Sequence, residues 1–491
     1  MAMDLMNSAN HRLVDHRTAI VDSSVLAARL GRWAQGDGTL AARLADGIQG
    51  LIDTGELRSG DRLPAERTLA SGISVARGTV VAAYAELAAR GAVERRQGSG
   101  TRVVGSTPVA GAGAVGPARP GRGEALFSAL PNAIDLLRTV PQIPDLAADL
   151  IREHRPRLDL ALLPEADPAG LPALRELIAE MLTAEGTPTT PEQILVTHGA
   201  QQAIGLIVSA LVSPGDVVLA EEITWPGATD TVNLRGGSVH GIPMTGDGLD
   251  VEALETAMVR MRPVLVALNP HNQNPTGTRL PRDARQRVAE LAARYGVPVI
   301  EDRVVAGISF DGVVPPTLAA DRPDAPVIVV ESVSKWAWAG LRIGWLRADP
   351  VLVRRLRGAR QLADQSTSVP AQLLALDLLP HADELRRDVA RVHQGRLALL
   401  SELMAEELPE WSFATPQGGL SLWAAIPAGS AEALSRAAAV HGVSVAGSGE
   451  FVAAGPSPDD RIRIPFTAPD EVLAEGIRRL GAAWREYRER L

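Results

Sequence analysis

Between Ile194 and Val330, short apolar runs alternate with longer helical stretches. That alternation restricts the fold more than any other feature of the chain. Ile194-Leu195-Val196-Thr197, Val217-Val218-Leu219, Val264 to Leu268, Val297 to Ile300 and Ala325 to Val330 have strand length, and Arg282 to Tyr295 reads as a helix between two of them. Strands separated by helices join by crossovers, which predicts a largely parallel sheet with its site at the strand C-termini. From about Leu352 the chain turns helical. Gly418 to Trp423, a strand-like Arg461 to Phe466 and a last helix then predict a smaller C-terminal lobe.

A different pattern precedes this α/β body. Leu40, Leu44, Ile48, Leu51 and Ile52 recur at helical spacing, and a short helix is expected in Leu63-Pro64-Ala65-Glu66-Arg67-Thr68-Leu69-Ala70. Val80, Tyr84 and Leu87 mark a third helix that Gly91 ends. Ala92 to Arg96 and Thr101 to Val104 flank Gln97-Gly98-Ser99-Gly100, a glycine-turned hairpin. Three helices and a hairpin over residues 38–104 make an α+β winged helix-turn-helix, with Arg77 and Thr79 where a recognition helix meets base edges. Before it, residues 1–37 form an N-terminal extension with a short helix expected over Ser24–Trp33. After it, residues 105–130 read as a flexible linker, rich in Gly, Ala, Pro and Val as far as Arg122. The body is 131–491.

Charge follows the same division. The whole chain carries −9, which argues against an overall nucleic-acid binder, yet residues 38–103 hold nine Arg and seven acidic residues. No cysteine is present, so disulfides and thiolate metal sites are excluded. No signal peptide or membrane-spanning run is read, and the cytoplasm is the expected compartment.

Lys335 is the only lysine among 49 basic residues. A guanidinium stays protonated, whereas an ε-amine can be tuned down and can condense with a carbonyl. Lys335 follows an apolar strand and lies between Ser332 and Arg342, so it is a nucleophile with anion ligands beside it. A phosphorylated pyridine aldehyde needs such an amine. Anion ligands are available in Ser332, Arg342 and the backbone N–H groups of Ala200 and Gln201 at a helix start. Asp302, at a strand end, can hold a pyridinium proton. Trp225 can cover the ring, and Asn274 can donate to its hydroxyl.

In order and spacing these residues resemble the fold-type I pyridoxal-phosphate aminotransferases across roughly 160–490. LPAERTLA, ARGTVVAAY and ERRQGSGTRV resemble the GntR-type DNA-binding domain. Together the chain is similar to the MocR/GabR transcription regulators. The resemblance implies pyridoxal 5'-phosphate on Lys335, with Asp302 facing the pyridine nitrogen. It implies Arg463 binding a ligand carboxylate, and Arg67, Arg77, Thr79 and Gly98 contacting operator DNA. It further implies a homodimeric body that senses an amino acid, an amine or the cofactor itself. Three departures stand out. Ala76 replaces a capping serine, and Val304 stands where the enzymes place a tyrosine donating to the ring oxygen. Glu165 and Ala166 stand where a second tyrosine would reach the partner's phosphate. Slow transamination is therefore expected. A working aminotransferase with an accessory DNA-binding module is the competing reading. A serine hydrolase using Ser332 and Lys335 is excluded, because its Lys-Thr-Gly element needs a second lysine.

Overall fold

The computed structural model describes residues 39–53, 61–73, 75–90, 92–96, 100–103, 122–127, 129–130, 132–155, 167–454 and 459–491, with Leu26, Leu30, Trp33 and Leu57 as isolated positions. The chain divides into two units, 1–119 and 120–491. Gly98, residues 104–121, Glu165, Ala166 and most of the helix expected over Ser24–Trp33 lie outside the described residues.

In the first unit, α1 (Leu40–Asp53), α2 (Glu66–Gly72) and α3 (Arg77–Ala89) enclose one small core. Leu44, Ile48, Leu69, Val80, Tyr84 and Leu87 fill it, joined by Leu26 and Leu30. The buried Tyr84 hydroxyl donates to Pro64 O at 2.9 Å, which ties α3 to the chain entering α2. β1 (Val93–Arg96) and β2 (Gly100–Val103) pair antiparallel as the wing. Leu63 N donates to Thr101 O at 2.9 Å and fastens the wing back to the helices. Ala76 gives α3 no side-chain cap.

The second unit begins earlier than the linker boundary expected at residue 130. Leu126 is buried, and Gly123 N donates to Asp230 at 2.9 Å, so residues 122–127 pack onto the body. Its larger sheet has seven strands in the order β4 (Ile194–Thr197), β10 (Gly344–Arg347), β9 (Val327–Ser332), β8 (Val299–Asp302), β7 (Leu265–Leu268), β5 (Val217–Glu221) and β6 (Ser238–Ile242). All run parallel except β10, which is antiparallel to both neighbours. The smaller sheet is β11 (Ser412–Phe413), β12 (Ser421–Ala425), β14 (Arg461–Pro465), β13 (Val443–Gly447) and β3 (Ile134–Leu136). β3 comes from far upstream and adds to this lobe parallel to β13.

Strand alternation decides what the sheet presents to each side. Asp302 and Ser332 reach one face of β8 and β9, while Glu301 and Glu331 reach the other. There the buried Arg303 donates through Nε to Glu331 at 2.8 Å and lies 3.4 Å from Glu301. Arg386 bridges Glu185 at 2.5 Å and approaches Glu331 at 3.7 Å, and His271 lies 3.4 Å from Glu301. Burial works against the Arg303 charge, but Glu331, Glu301 and Glu185 outweigh it and raise its pKa. Burial also drives His271 down to about 4, so its ring stays neutral. No helix among the described residues is long and apolar enough to cross a membrane.

Arg303→Met leaves Glu301 and Glu331 without their shared cation. The expected loss is roughly 3–5 kcal/mol in denaturant unfolding, because breaking a buried pair strands a charge. A loss under about 1 kcal/mol would mean the network contributes nothing net.

Candidate functional site

Lys335 closes a single 3-10 turn, Val333–Lys335, that follows β9 directly. Ser332 caps that turn: its hydroxyl accepts from Ser334 N at 3.2 Å and donates to Ile343 O at 3.0 Å. The hydroxyl read from the sequence as an anion ligand is thus engaged in holding the lysine turn against β10. Ser334 reaches the cavity beside Lys335 and was not singled out by the sequence.

The turn opens into a cavity of about 660 Å³. Ala200, Gln201, Trp225, Asn274, Asp302, Ser332, Lys335 and Arg342 all line it, although they come from six separate stretches of chain. Arg463 on β14 is fully buried beside them and donates to Asn274 Oδ1 at 3.2 Å. Residue counting makes one arginine among many a surface group, and the fold reverses that.

One end of the cavity suits an anion. α4 (Ala200–Leu211) starts after Gly199, which has φ +79° and offers no side-chain cap. The first N–H groups of α4 therefore face the cavity end with no acceptor inside the helix. Arg342 donates to His198 O at 2.9 Å and lies against the same turn. A Cβ built on Gly199 would come within 3.2 Å of the Arg342 guanidinium, and the φ of +79° is one that L side chains rarely adopt. Arg342 itself adopts φ +58°. These donors fit the phosphate of a pyridoxal group, and the Lys335 amine and Asp302 carboxylate line the same cavity.

Electrostatics across the cavity are set by burial. Burial, then repulsion from Arg463 and Arg342, brings the Lys335 amine down to about 8, with Asp302 pulling the other way. Burial raises Asp302 to about 6 against the Val304 N–H, which donates to it at 3.0 Å, and against Lys335. Arg463 falls to about 9 through burial, opposed only by Asp135. Its guanidinium donates to Leu137 O, stacks 4.6 Å from the Phe451 ring, and keeps Nε without a partner among the described residues.

The sequence reading missed the segment Leu137–Val140. Leu137 O accepts from Arg463 and Thr139 O accepts from Lys335 Nζ at 2.6 Å, so carbonyls two residues apart meet two of the cations at the cavity. Leu126 and Phe127 also line the wall, Phe127 standing edge-on to Trp225 at 6.2 Å. Val304 presents only hydrocarbon there. In the first unit Arg67 and Arg77 are exposed, Thr79 is half-buried, and Arg77 pairs with Glu66 at 3.2 Å.

Comparison with known proteins places both units in families. The family model for aminotransferase class I and II matches residues 163–480, and that for bacterial regulatory proteins of the gntR family matches 40–103. The chain belongs to the class I and II aminotransferase family and carries a gntR-type DNA-binding domain in front. A 2-aminoadipate transaminase of Thermus thermophilus is 33% identical over 322 residues, covering 64% of this chain and 79% of the relative. The probable rhizopine catabolism regulatory protein MocR of Rhizobium meliloti is 28% identical over 391 residues, covering 75% of this chain and 78% of that one. Among solved structures, LysN, the α-aminoadipate aminotransferase of T. thermophilus, superposes with TM-score 0.68 at 29% identity, over 76% of this chain and 97% of its own.

The lowered amine predicts a pH signature. Only the neutral amine attacks an aldehyde, so the rate at which apoprotein captures pyridoxal phosphate should rise through about pH 8 and then level. Asp302→Asn removes the group that holds the proton on, and the midpoint should move lower. A wild-type rate still climbing toward an ordinary lysine pKa of about 10.4 would contradict the assignment.

Proposed function

We propose that the protein is a pyridoxal-phosphate-dependent transcription regulator, in which an aminotransferase-type body senses a small molecule and a gntR-type domain binds the operator. The observation that carries this reading is the meeting of Lys335, Asp302 and the α4 N-terminus at one cavity, with Arg463 buried beside it, in a chain whose first unit holds a winged helix. When bound, pyridoxal phosphate supplies an electrophilic aldehyde and an electron-withdrawing ring. Lys335 supplies the amine that holds it. Asp302, ionised above about pH 6, accepts the hydrogen bond of the ring nitrogen's proton. Arg342 and the first amides of α4 take the phosphate, and Trp225 supplies an aromatic face. Arg463 is a buried cation suited to a ligand carboxylate.

Regulation is favoured over turnover by Val304, whose side chain has no donor to offer the ring oxygen. The competing reading, a working aminotransferase with an accessory head, draws on the similarity to the 2-aminoadipate transaminase. Arg67, Arg77 and Thr79, together with the wing at Gly98, are assigned to DNA. A homodimer would present two such heads to repeated half-sites, and linking the heads raises effective concentration.

Operator binding by cofactor-loaded protein, followed during amino-acid titration beside a keto-acid turnover assay, separates the two readings. The regulator reading expects DNA affinity to change with ligand while turnover stays slow. Ligand-indifferent DNA binding with rapid turnover would reverse it. Arg67→Ala and Arg77→Ala should each weaken operator binding, by about 1–3 kcal/mol where a base contact is lost. Affinity should also fall steeply with salt. Binding unchanged in both variants, or a monomer by light scattering that still binds tightly, would contradict the docking and the dimer respectively.

A further inference from the structure

A buried carboxylate outside the cofactor contacts assigned above ends β5. Glu221 is 2% exposed, and it accepts from the Thr224 hydroxyl at 2.8 Å and from Asn269 N at 2.9 Å, with the Gln273 amide as a third donor. All three are neutral. No Arg, Lys or His pairs with it among the described residues. Charged side chains on the neighbouring segments turn elsewhere: Glu222 accepts from Met244 N, His271 faces Glu301, and Arg279 is taken by Asn272, Ser309 and Asp311. Asp302, which does act on Glu221, has the same sign. A carboxylate buried without a countercharge is better kept neutral. Burial, with Asp302 adding to it, raises Glu221 to about 7 against its hydrogen bonds.

A second feature asks for the same proton. Glu221, Asn269, Gln273 and Thr278 line a cavity of about 10 Å³, room for one water molecule. Asn269 Oδ1 is buried and has no donor among the described residues. A protonated Glu221 supplies a donor on the wall that both residues line.

Glu221 also joins the two segments that carry ring contacts to the cofactor cavity. Thr224 precedes Trp225, and Asn269 opens the stretch that runs to Asn274. Gln273 Nε2 donates to Ile223 O at 2.6 Å, a further tie between them. Asn269 and Gln273 line the small cavity and the cofactor cavity alike, so the two share a wall.

We propose that Glu221 is a positioning residue that works as a neutral acid: it accepts from Thr224 and Asn269, turns its proton toward Asn269 Oδ1 across the small cavity, and so holds the Trp225 and Asn274 segments together. Kept neutral, it leaves Asp302 as the member of the pair that ionises for the ring nitrogen. This rests on the cofactor assignment and holds whether the body regulates or turns over.

Full-length wild type, Glu221→Gln and Glu221→Ala are compared in two measurements. The first is equilibrium binding of pyridoxamine 5'-phosphate, which has no aldehyde and bypasses capture by Lys335. Glu221→Gln keeps the shape and a donor without a charge, and should bind within about twofold of wild type. Glu221→Ala should bind at least about tenfold more weakly. The second is denaturant unfolding of the body against pH. A carboxyl whose pKa is raised by folding supports the fold below its ordinary value of 4.5 and loses that support as pH rises through about 7. The folding constant of wild type relative to Glu221→Gln should therefore fall by about tenfold or more between about pH 5 and about pH 8. Glu221→Gln binding about tenfold more weakly than wild type overturns the inference, as does an unfolding ratio that does not change with pH; Glu221 would then be ionised, with the Asn269 amide turned toward it. Wild type that binds no pyridoxamine phosphate defeats the cofactor assignment, while the unfolding ratio still decides the proton on Glu221.

Discussion

The site depends on how few carboxylates face its cations. Lys335, Arg342 and Asp302 line one cavity with Arg463 buried alongside, and burial raises the Asp302 pKa. Burial and the neighbouring charges of Arg463 and Arg342 bring the Lys335 amine down to about 8 against the pull of Asp302. A single lysine placed here is therefore the one base that the surrounding field can turn into a nucleophile near neutral pH.

The same two strands that supply the site also supply the charge network behind the sheet. Asp302 follows Glu301, and Ser332 follows Glu331, so alternation sends one member of each pair to either face. Arg303 then ties Glu301 to Glu331 across adjacent strands. Fixing β8 and β9 to one another fixes the separation of Asp302 from the lysine turn. Stability and site geometry thus run through the same residues, and a slip of either strand would turn carboxylates toward the wrong face.

Much of this was legible in the sequence because its signals are local. The alternation of short apolar runs and helices carries the parallel sheet, and the helical spacing around Leu44 and Tyr84 carries the winged helix. Asp302 and Lys335 announce themselves by following strands, and Gly199 by opening a helix. What stayed hidden is non-local. β3 has three residues, too few for a periodicity, and joins a lobe whose other strands begin at Ser412. The Thr139–Lys335 and Leu137–Arg463 contacts span 196 and 326 residues and use backbone carbonyls, which leave no mark in residue type. Burial of Arg463, the position of Phe127 and the engagement of the Ser332 hydroxyl follow from tertiary packing alone.

The central claim is that one amine, Lys335, anchors a cofactor in a body that has become a sensor. Borohydride reduction of the purified, cofactor-treated protein, followed by peptide mass analysis, tests it most directly. The account predicts a phosphopyridoxyl group on the peptide that contains Lys335, abolished by Lys335→Ala. Failure to trap the cofactor at Lys335 in folded protein would contradict it.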